Sequence, residues 1–273
     1  MIDLHTHSNV SDGSDPPARV AELAAAAGCT AFALTDHDRL DGLAEAGAAA
    51  AEAGVELVPG CELSCEWSPG TMHVLVYFVE AGEGPLQDEL VRLQEVRDTR
   101  NRRMCEVLGI EYEELLAEAG GMGAGRPHAA AILVRRGLAE SINDAFDRYL
   151  AKGRPGYVEK ERLAPQDAVG LARASGGVAV LAHPFSLGVE PPELERVVGE
   201  LTGLGFAGIE AVYGSYAPED REGLAALARR HGLVATGGSD HHGSYKPHLT
   251  VGVGRGDLAV PDEALAALAA RRP

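Results

Sequence analysis

The chain opens Met1-Ile2-Asp3-Leu4-His5-Thr6-His7, and one helix later Thr30-Ala31-Phe32-Ala33-Leu34-Thr35-Asp36-His37 repeats the plan. Each stretch is a short apolar run that ends in histidine. Runs this short, bounded by polar residues, fit buried strands. Between them Asp15-Pro16-Pro17 reads as an N-cap followed by proline in the first helical turn, and Gly28 stops the helix after about Ala27. The unit recurs. A helix is expected from about Asp41 to Ala53, and strands at Val55–Val58, Met72–Val79, Val178–Leu181, Gly208–Val212 and Leu233–Thr236, with helices near 191–203 and 218–231. Repeated β-α units predict a parallel sheet. About seven of them, with similar polar clusters from both ends of the chain, predict closure into an α/β barrel rather than an open sheet.

Residues 83–164 break this rhythm. After Gly82-Glu83-Gly84-Pro85 a long helical pattern runs through Met104, and a second lies near Glu111–Ala119. Gly120, Gly121, Gly123 and Gly125 suggest a flexible loop before Arg126-Pro127-His128, and helix resumes to about Leu150. The expected division is a barrel from residues 1–82 and 165–273, with 83–164 as a helical insertion capping its mouth.

His5, His7, Asp12, His37, Glu62, His73, His183, Asp240 and His242 are the candidate metal ligands. His5 and His7 are two apart, as are Asp240 and His242, so each pair can reach one ion from a strand. Strands of one barrel present their C-terminal ends on one face, where such residues would meet. Imidazoles and carboxylates together suit several divalent cations, with Mn, Fe or Zn all compatible. A single histidine is more often a hydrogen-bonded core residue. Six of the ten histidines falling at strand ends is a poor match to that reading. Cys61 and Cys65 flank Glu62 and read as small buried fillers rather than soft ligands.

The formal charge is −17, which argues against stable binding to duplex nucleic acid. The charge is uneven: residues 92–162 hold 13 of the 24 Lys and Arg against 12 Asp and Glu. Solvated helix faces or a grip on an anionic substrate both fit that stretch. No apolar run is long enough to span a membrane. The first motif begins at the N-terminus, leaving no room for a signal peptide, and the four cysteines form no paired C-x-x-C units. A cytoplasmic protein is expected.

His5-Thr6-His7-Ser8 with Ser11-Asp12-Gly13, Leu34-Thr35-Asp36-His37-Asp38, Pro59-Gly60-Cys61-Glu62-Leu63-Ser64, Ala182-His183-Pro184 and Gly238-Ser239-Asp240-His241-His242-Gly243 resemble, in order, the polymerase and histidinol phosphatase (PHP) superfamily of metal-dependent phosphoesterases. The resemblance implies a distorted seven-stranded, TIM-like β/α barrel with two or three divalent ions, most simply Mn. By position, His5, His7, Glu62 and Asp240 would hold one ion. Glu62, His73 and His183 would hold a second, and Asp12, His37 and His242 a third. Gly125-Arg126-Pro127-His128-Ala129-Ala130, Ala145-Phe146-Asp147-Arg148-Tyr149-Leu150 and Lys152-Gly153-Arg154-Pro155-Gly156-Tyr157-Val158 are similar to the insertion of the nucleoside 3′,5′-bisphosphate phosphatase branch, whose members also trim short RNAs from the 5′ end.

The implied chemistry is hydrolysis of a 3′-phosphate by hydroxide generated at the cations, with no serine or cysteine nucleophile. Arg126 is the expected phosphate clamp, since its planar fork can bind two oxygens. His128 would bind phosphate or donate a proton, with Ser64, Lys152 and Arg154 as further substrate contacts. Asp36 and His241 would orient ligands. The partner is a small phosphorylated nucleotide or short oligonucleotide; protein partners are not indicated. Two other readings compete. A histidinol-phosphate phosphatase is disfavoured by the Arg126-Pro127-His128 insertion. A non-catalytic, metal-stabilised accessory module is disfavoured by the full ligand set.

Overall fold

The computed structural model describes residues 1–120 and 123–273. Seven strands form one sheet in chain order: β1 (Ile2–Thr6), β2 (Ala31–Leu34), β3 (Glu56–Cys65), β4 (Met72–Tyr77), β5 (Val178–Leu181), β6 (Gly208–Tyr213) and β7 (Val234–Gly238). The ends approach beyond β7, where the His7 amide donates to the His241 carbonyl (3.0 Å) and the Asp240 amide to the His5 carbonyl (2.8 Å). The sheet is therefore a nearly closed barrel, and the residues that join its edges are themselves in the predicted ligand motifs.

One strand departs from the expected all-parallel order. β4 pairs antiparallel with both β3 and β5. Only residues 66–71 connect β3 to β4, too few for a crossover helix, so the chain turns back as a hairpin. The reversal puts the start of β4, where His73 lies, at the same barrel end as the finish of the other strands. β3 is also longer than expected, and Glu62 sits inside it rather than past it.

Alternate residues along the strands serve two cores. Ala31, Ala33, Leu75, Tyr77, Val178 and Val180 join a cluster made of strand and C-terminal residues, which is the barrel interior. Helix α10, Glu263–Ala269 in chain order, adds Ala264 and Leu268 to it. Phe32, Leu34, Val74, Val76, Ala179 and Leu181 instead meet the helices of the outer layer. Those are α1 (Pro17–Ala26), α2 (Leu43–Ala53), α7 (Pro165–Ala174), α8 (Pro191–Leu204), α9 (Pro218–Arg230) and the first half of α3 (Pro85–Leu108). Proline at the first helical position starts five of these six without a side-chain cap. Asp15, expected to cap α1, does not: Pro16 holds the cap position, and the Asp15 carboxylate pairs with His241 Nε2 at 2.8 Å.

Helix α3 belongs to both parts of the molecule. Leu86, Leu90 and Leu93 pack on the barrel's outer layer, whereas Met104 and Cys105 join a separate core. That core also takes Leu115 of α4 (Tyr112–Glu118), Ile132 and Leu133 of α5 (Arg126–Arg135) and Ala145 of α6 (Ile142–Ala145), which runs into a π-helical turn at 146–150. The helix expected through Leu150 is thus broken after Arg135. Of the glycine loop expected over 120–125, Gly121 lies outside the described residues. All four cysteines are free and buried. Among the described residues no helix is long and apolar enough to cross a membrane.

Candidate metal centre and adjoining cavity

Glu62 is the hub of the site. Its Oε1 lies 2.9 Å from His73 Nδ1 and 3.1 Å from His183 Nε2; its Oε2 lies 3.2 Å from His7 Nε2, 3.2 Å from His37 Nδ1 and 3.4 Å from His5 Nε2. Asp240 Oδ1 is 3.6 Å from His5 Nε2, 3.5 Å from His7 Nε2 and 3.3 Å from His242 Nδ1. Asp12 reaches His242 Nε2 at 3.3 Å and His37 Nε2 at 3.8 Å. The structure thus brings all nine sequence-predicted ligands together. Four overlapping sets keep their ligand atoms within 4.8 Å of one another: His7, Asp12, His37 and His242; His5, His7 and Asp240; His5, Glu62 and His183; His37, Glu62 and His73. The grouping differs from the one read off the motifs in that His73 and His183 flank Glu62 from different sets.

The donor set fits divalent cations. Ligands held about 2.1 Å from one ion at tetrahedral or octahedral angles lie roughly 3.0–3.4 Å from each other. Several of the spacings above fall in or near that range. Hydrogen bonding alone does not account for them: buried His37 Nδ1 has no hydrogen bond although Glu62 is close. His5 Nδ1 faces Glu210 Oε1 at 3.0 Å, so its proton sits there and Nε2 points a lone pair toward His7, Glu62 and Asp240.

Electrostatics favour the ligating form at three carboxylates and two imidazoles of the cluster. Burial would raise the carboxyls of Asp12, Glu62 and Asp240, but the surrounding histidines, with Lys246 beside Asp240, hold all three well below the usual carboxylate range. Burial drives His7 well down and His73 to about 4. Anionic carboxylates and neutral imidazoles at neutral pH are what a metal requires. His5 is the exception. Burial opposes its charge, but Glu210, Asp240 and Glu62 together raise its pKa well above normal. That point in the cluster attracts positive charge, which either a proton or a cation can supply.

The supports around these ligands were only partly expected. Glu210 in β6 holds His5 through one oxygen and accepts the His183 amide through the other at 2.7 Å. Tyr213 donates to Asp240 Oδ2 at 2.6 Å, and Lys246 Nζ lies 2.5 Å from the same oxygen, leaving Oδ1 toward the histidines. Asp36 accepts from the Ser8 amide and from the Ser8 and Ser11 hydroxyls, which fixes the loop carrying Asp12 rather than His37. His241 binds Asp15 and the Leu249 carbonyl, so it pins loops and does not face the cluster. Asp38, His183 and Asp240 have φ of 55°, 27° and 55°. Three of the four non-glycine residues with positive φ among those described therefore lie in this site, where backbone strain commonly marks function.

A cavity of about 390 Å³ adjoins the cluster, with Asp12, His37, His73 and His242 on one wall. Arg97, Arg100, Arg126, Lys160 and Arg162 line the rest, together with Phe146 and Tyr157. Arg97 and Lys160 are paired with Asp38 at 2.5 and 3.1 Å. Arg100, Arg126 and Arg162 have no carboxylate partner among the described residues. Arg100 is 7% exposed, with Nε unbonded, and burial followed by the charges of Arg97 and Arg126 pulls its pKa to about 9. Three buried or half-buried guanidinium groups facing an open cavity make a receptor for an anion.

The other predicted substrate contacts divide. Arg126 and Ser64 line this cavity. Lys152 and Arg154 do not; both sit on an exposed turn after the π-helical segment, where the chain reverses and carries them to the surface. Their replacement by alanine should change kcat/KM by less than about twofold, as expected for exposed charges away from a site. His128 is 1% exposed and outside the lining, and its Nδ1 accepts the Gly125 amide at 3.0 Å to cap α5. His128→Ala is expected to lower unfolding free energy by about 1–2 kcal/mol through that lost cap, read by denaturant titration. Arg97 and Arg100 were missed, although a signal existed. They fall in phase with Leu86, Leu90 and Leu93 on the buried stripe of α3, where a solvated arginine has no place.

The PHP domain family model matches residues 3–159. The chain belongs to the PHP family. A 3′,5′-nucleoside bisphosphate phosphatase of Chromobacterium violaceum is 36% identical over 255 residues, covering 88% of this chain and 87% of the relative. The 5′-3′ exoribonuclease Rnm of Salmonella typhimurium is 32% identical, covering 89% and 85%. A crystal structure of a candidate metal-dependent phosphoesterase from Bifidobacterium adolescentis superposes with a TM-score of 0.88 at 27% identity, over 100% of this chain and 96% of that one. The PHP match crosses from the barrel into the helical segment, so it includes Arg97, Arg100, Arg126, Phe146 and Tyr157 of the cavity wall, while Lys160, Arg162, His242 and Lys246 lie beyond it.

Proposed function

We propose that the protein is a metal-dependent phosphoesterase that removes the 3′-phosphate from nucleoside 3′,5′-bisphosphates, leaving the 5′-monophosphate. By the same chemistry it also trims short RNAs from the 5′ end. The observation that carries this reading is the juxtaposition of two unlike features. A cluster of nine candidate metal-ligand side chains opens, through Asp12, His37, His73 and His242, onto a cavity lined by three guanidinium groups with no carboxylate partner among the described residues. One phosphate would react at the cluster while a second, unreactive phosphate meets the arginines. The names of the relatives support both halves of the assignment.

His5, His7, Asp12, His37, Glu62, His73, His183, Asp240 and His242 would hold two or three divalent ions, most simply Mn, with Fe or Zn also suited to the donors. Such ions lower the pKa of water toward neutrality and stabilise charge on phosphoryl oxygens. The chain's own residues do the rest. Glu210 fixes the tautomer of His5, and Tyr213 fixes the rotamer of Asp240. Arg126, backed by Arg100, orients the unreactive phosphate, and Phe146 and Tyr157 offer faces for a base. Segment 83–164 serves as the substrate-recognition cap on the barrel formed by 1–82 and 165–273. Four free, buried cysteines fit a cytoplasmic location.

The test is a comparison of substrates on metal-reconstituted enzyme, with free phosphate as the readout. Adenosine 3′,5′-bisphosphate should exceed histidinol phosphate in kcat/KM by at least about tenfold, the worth of one charge-assisted contact. Equal rates would favour a histidinol-phosphate phosphatase. Full metal content with no turnover of any phosphoester would favour an accessory module.

A further inference from the structure

The metal-ligand sets are not braced alike. His5, His183 and Asp240 are held from the barrel itself: by Glu210 on His5 and on the His183 amide, by Asp3 on the His5 and Ser239 amides, and by the pairing of Asp240 with His5, while Glu62 is held within β3 by its pairing with Leu75 of β4. The set of His7, Asp12, His37 and His242 lies nearest the cavity, and each of the three loops it adds to His7 meets the helical segment. Beside His37, the Asp38 carboxylate is gripped by Arg97 and Lys160, and Gln94 donates to the Asp38 carbonyl at 3.1 Å. Beside Asp12, Gly123 approaches so closely that a Cβ would stand 2.1 Å from the Val10 carbonyl oxygen and 2.2 Å from that of Ser11. Beyond His242, the Tyr245 ring meets His128 edge-on, with centroids 5.1 Å apart.

We propose that segment 83–164 sets the occupancy of this outer metal position, so that the cap which receives the substrate also positions one of the ions. The inference rests on the metal reading above and adds a division of labour: ions held by barrel strands bind independently of the cap, and the outer ion does not. Gly123, Arg97 and Lys160 are positioning residues in this scheme. They touch no ion and act through the loops of Asp12 and His37. Metal sites tolerate ligand displacements of only about 0.2 Å, so a loop pushed aside by a new methyl group would release the outer ion first. Linkage is reciprocal: an anion in the cavity that tightens the outer ion is itself tightened by that ion to the same degree.

Titration with Mn²⁺ against a competing chelator, with bound metal counted by elemental analysis, tests the proposal without any substrate. Gly123→Ala should weaken one equivalent by at least about tenfold, the usual cost of disturbing an outer support, and leave the others unchanged. Gly153→Ala is the control. Gly153 has a similar left-handed φ of +82° in the same segment but would meet nothing within 4 Å, and its variant should bind as the wild type does. If circular dichroism shows Gly123→Ala unfolded, Lys160→Met takes its place, since it removes a grip on Asp38 from a different element; because His37 also borders Glu62 and His73, the expected result is one equivalent weakened well beyond the others. Wild-type binding in the substituted protein, or an equal weakening of every equivalent, would overturn the division of labour. A wild-type chain that binds no Mn²⁺ at all would instead overturn the metal assignment on which it stands.

Discussion

Glu62→Gln is expected to lower phosphoester hydrolysis by at least about a hundredfold, the scale set by loss of one strong electrostatic stabiliser, and to cost the protein more metal than His242→Ala. The asymmetry follows from contacts. The Glu62 carboxylate meets five imidazoles across its two oxygens, whereas His242 faces Asp12 and Asp240 alone. Glutamine keeps the shape and removes the charge that two ligand sets share. Elemental analysis with steady-state kinetics on each variant checks both parts. Activity retained in full by both would remove these residues from the site.

Arg126→Ala should cost about ten- to a thousandfold in kcat/KM on a 3′,5′-bisphosphate, a charge-assisted pair of roughly 1.5–3 kcal/mol together with lost positioning. On p-nitrophenyl phosphate, which has no second phosphate, the loss should be much smaller, because a contact to a remote group helps only substrates that carry it. Metal content should not change. Arg126 sits over Phe146 and Tyr157 at 5.8 and 6.0 Å and pairs with no carboxylate among the described residues, so its removal strands no partner anion there. Equal losses on both substrates would place Arg126 at the reacting phosphate. No loss on either would make the cap structural and remove the preference for bisphosphates.

The barrel was legible because its strands are buried on both faces and read as short apolar runs, and because each polar cluster falls where such a run meets the mouth. The nine candidate ligands stood out by the same token, and the fold gathers them into one cluster. What escaped has physical reasons. The reversal of β4 leaves no mark within the strand itself; it is written in the brevity of residues 66–71, which a period-based reading passes over. Glu210 is a charged residue in an apolar strand, and only the fold shows that His5 and His183 consume both of its oxygens. Lys152 and Arg154 looked suitable because they belong to the stretch through Val158 that resembles the family's insertion, yet the turn at Gly153 carries them outward. His128 looked chemical, but three residues before it stands a backbone amide in need of a cap.

The most direct test is a product assay on adenosine 3′,5′-bisphosphate, comparing chelator-stripped protein with the same sample reloaded with Mn²⁺. The structure predicts no phosphate release from the stripped protein. After reloading, one phosphate should be released per substrate, with the 5′-monophosphate as the sole nucleotide product. Accumulation of the 3′-monophosphate, or turnover that survives complete removal of metal, would contradict it.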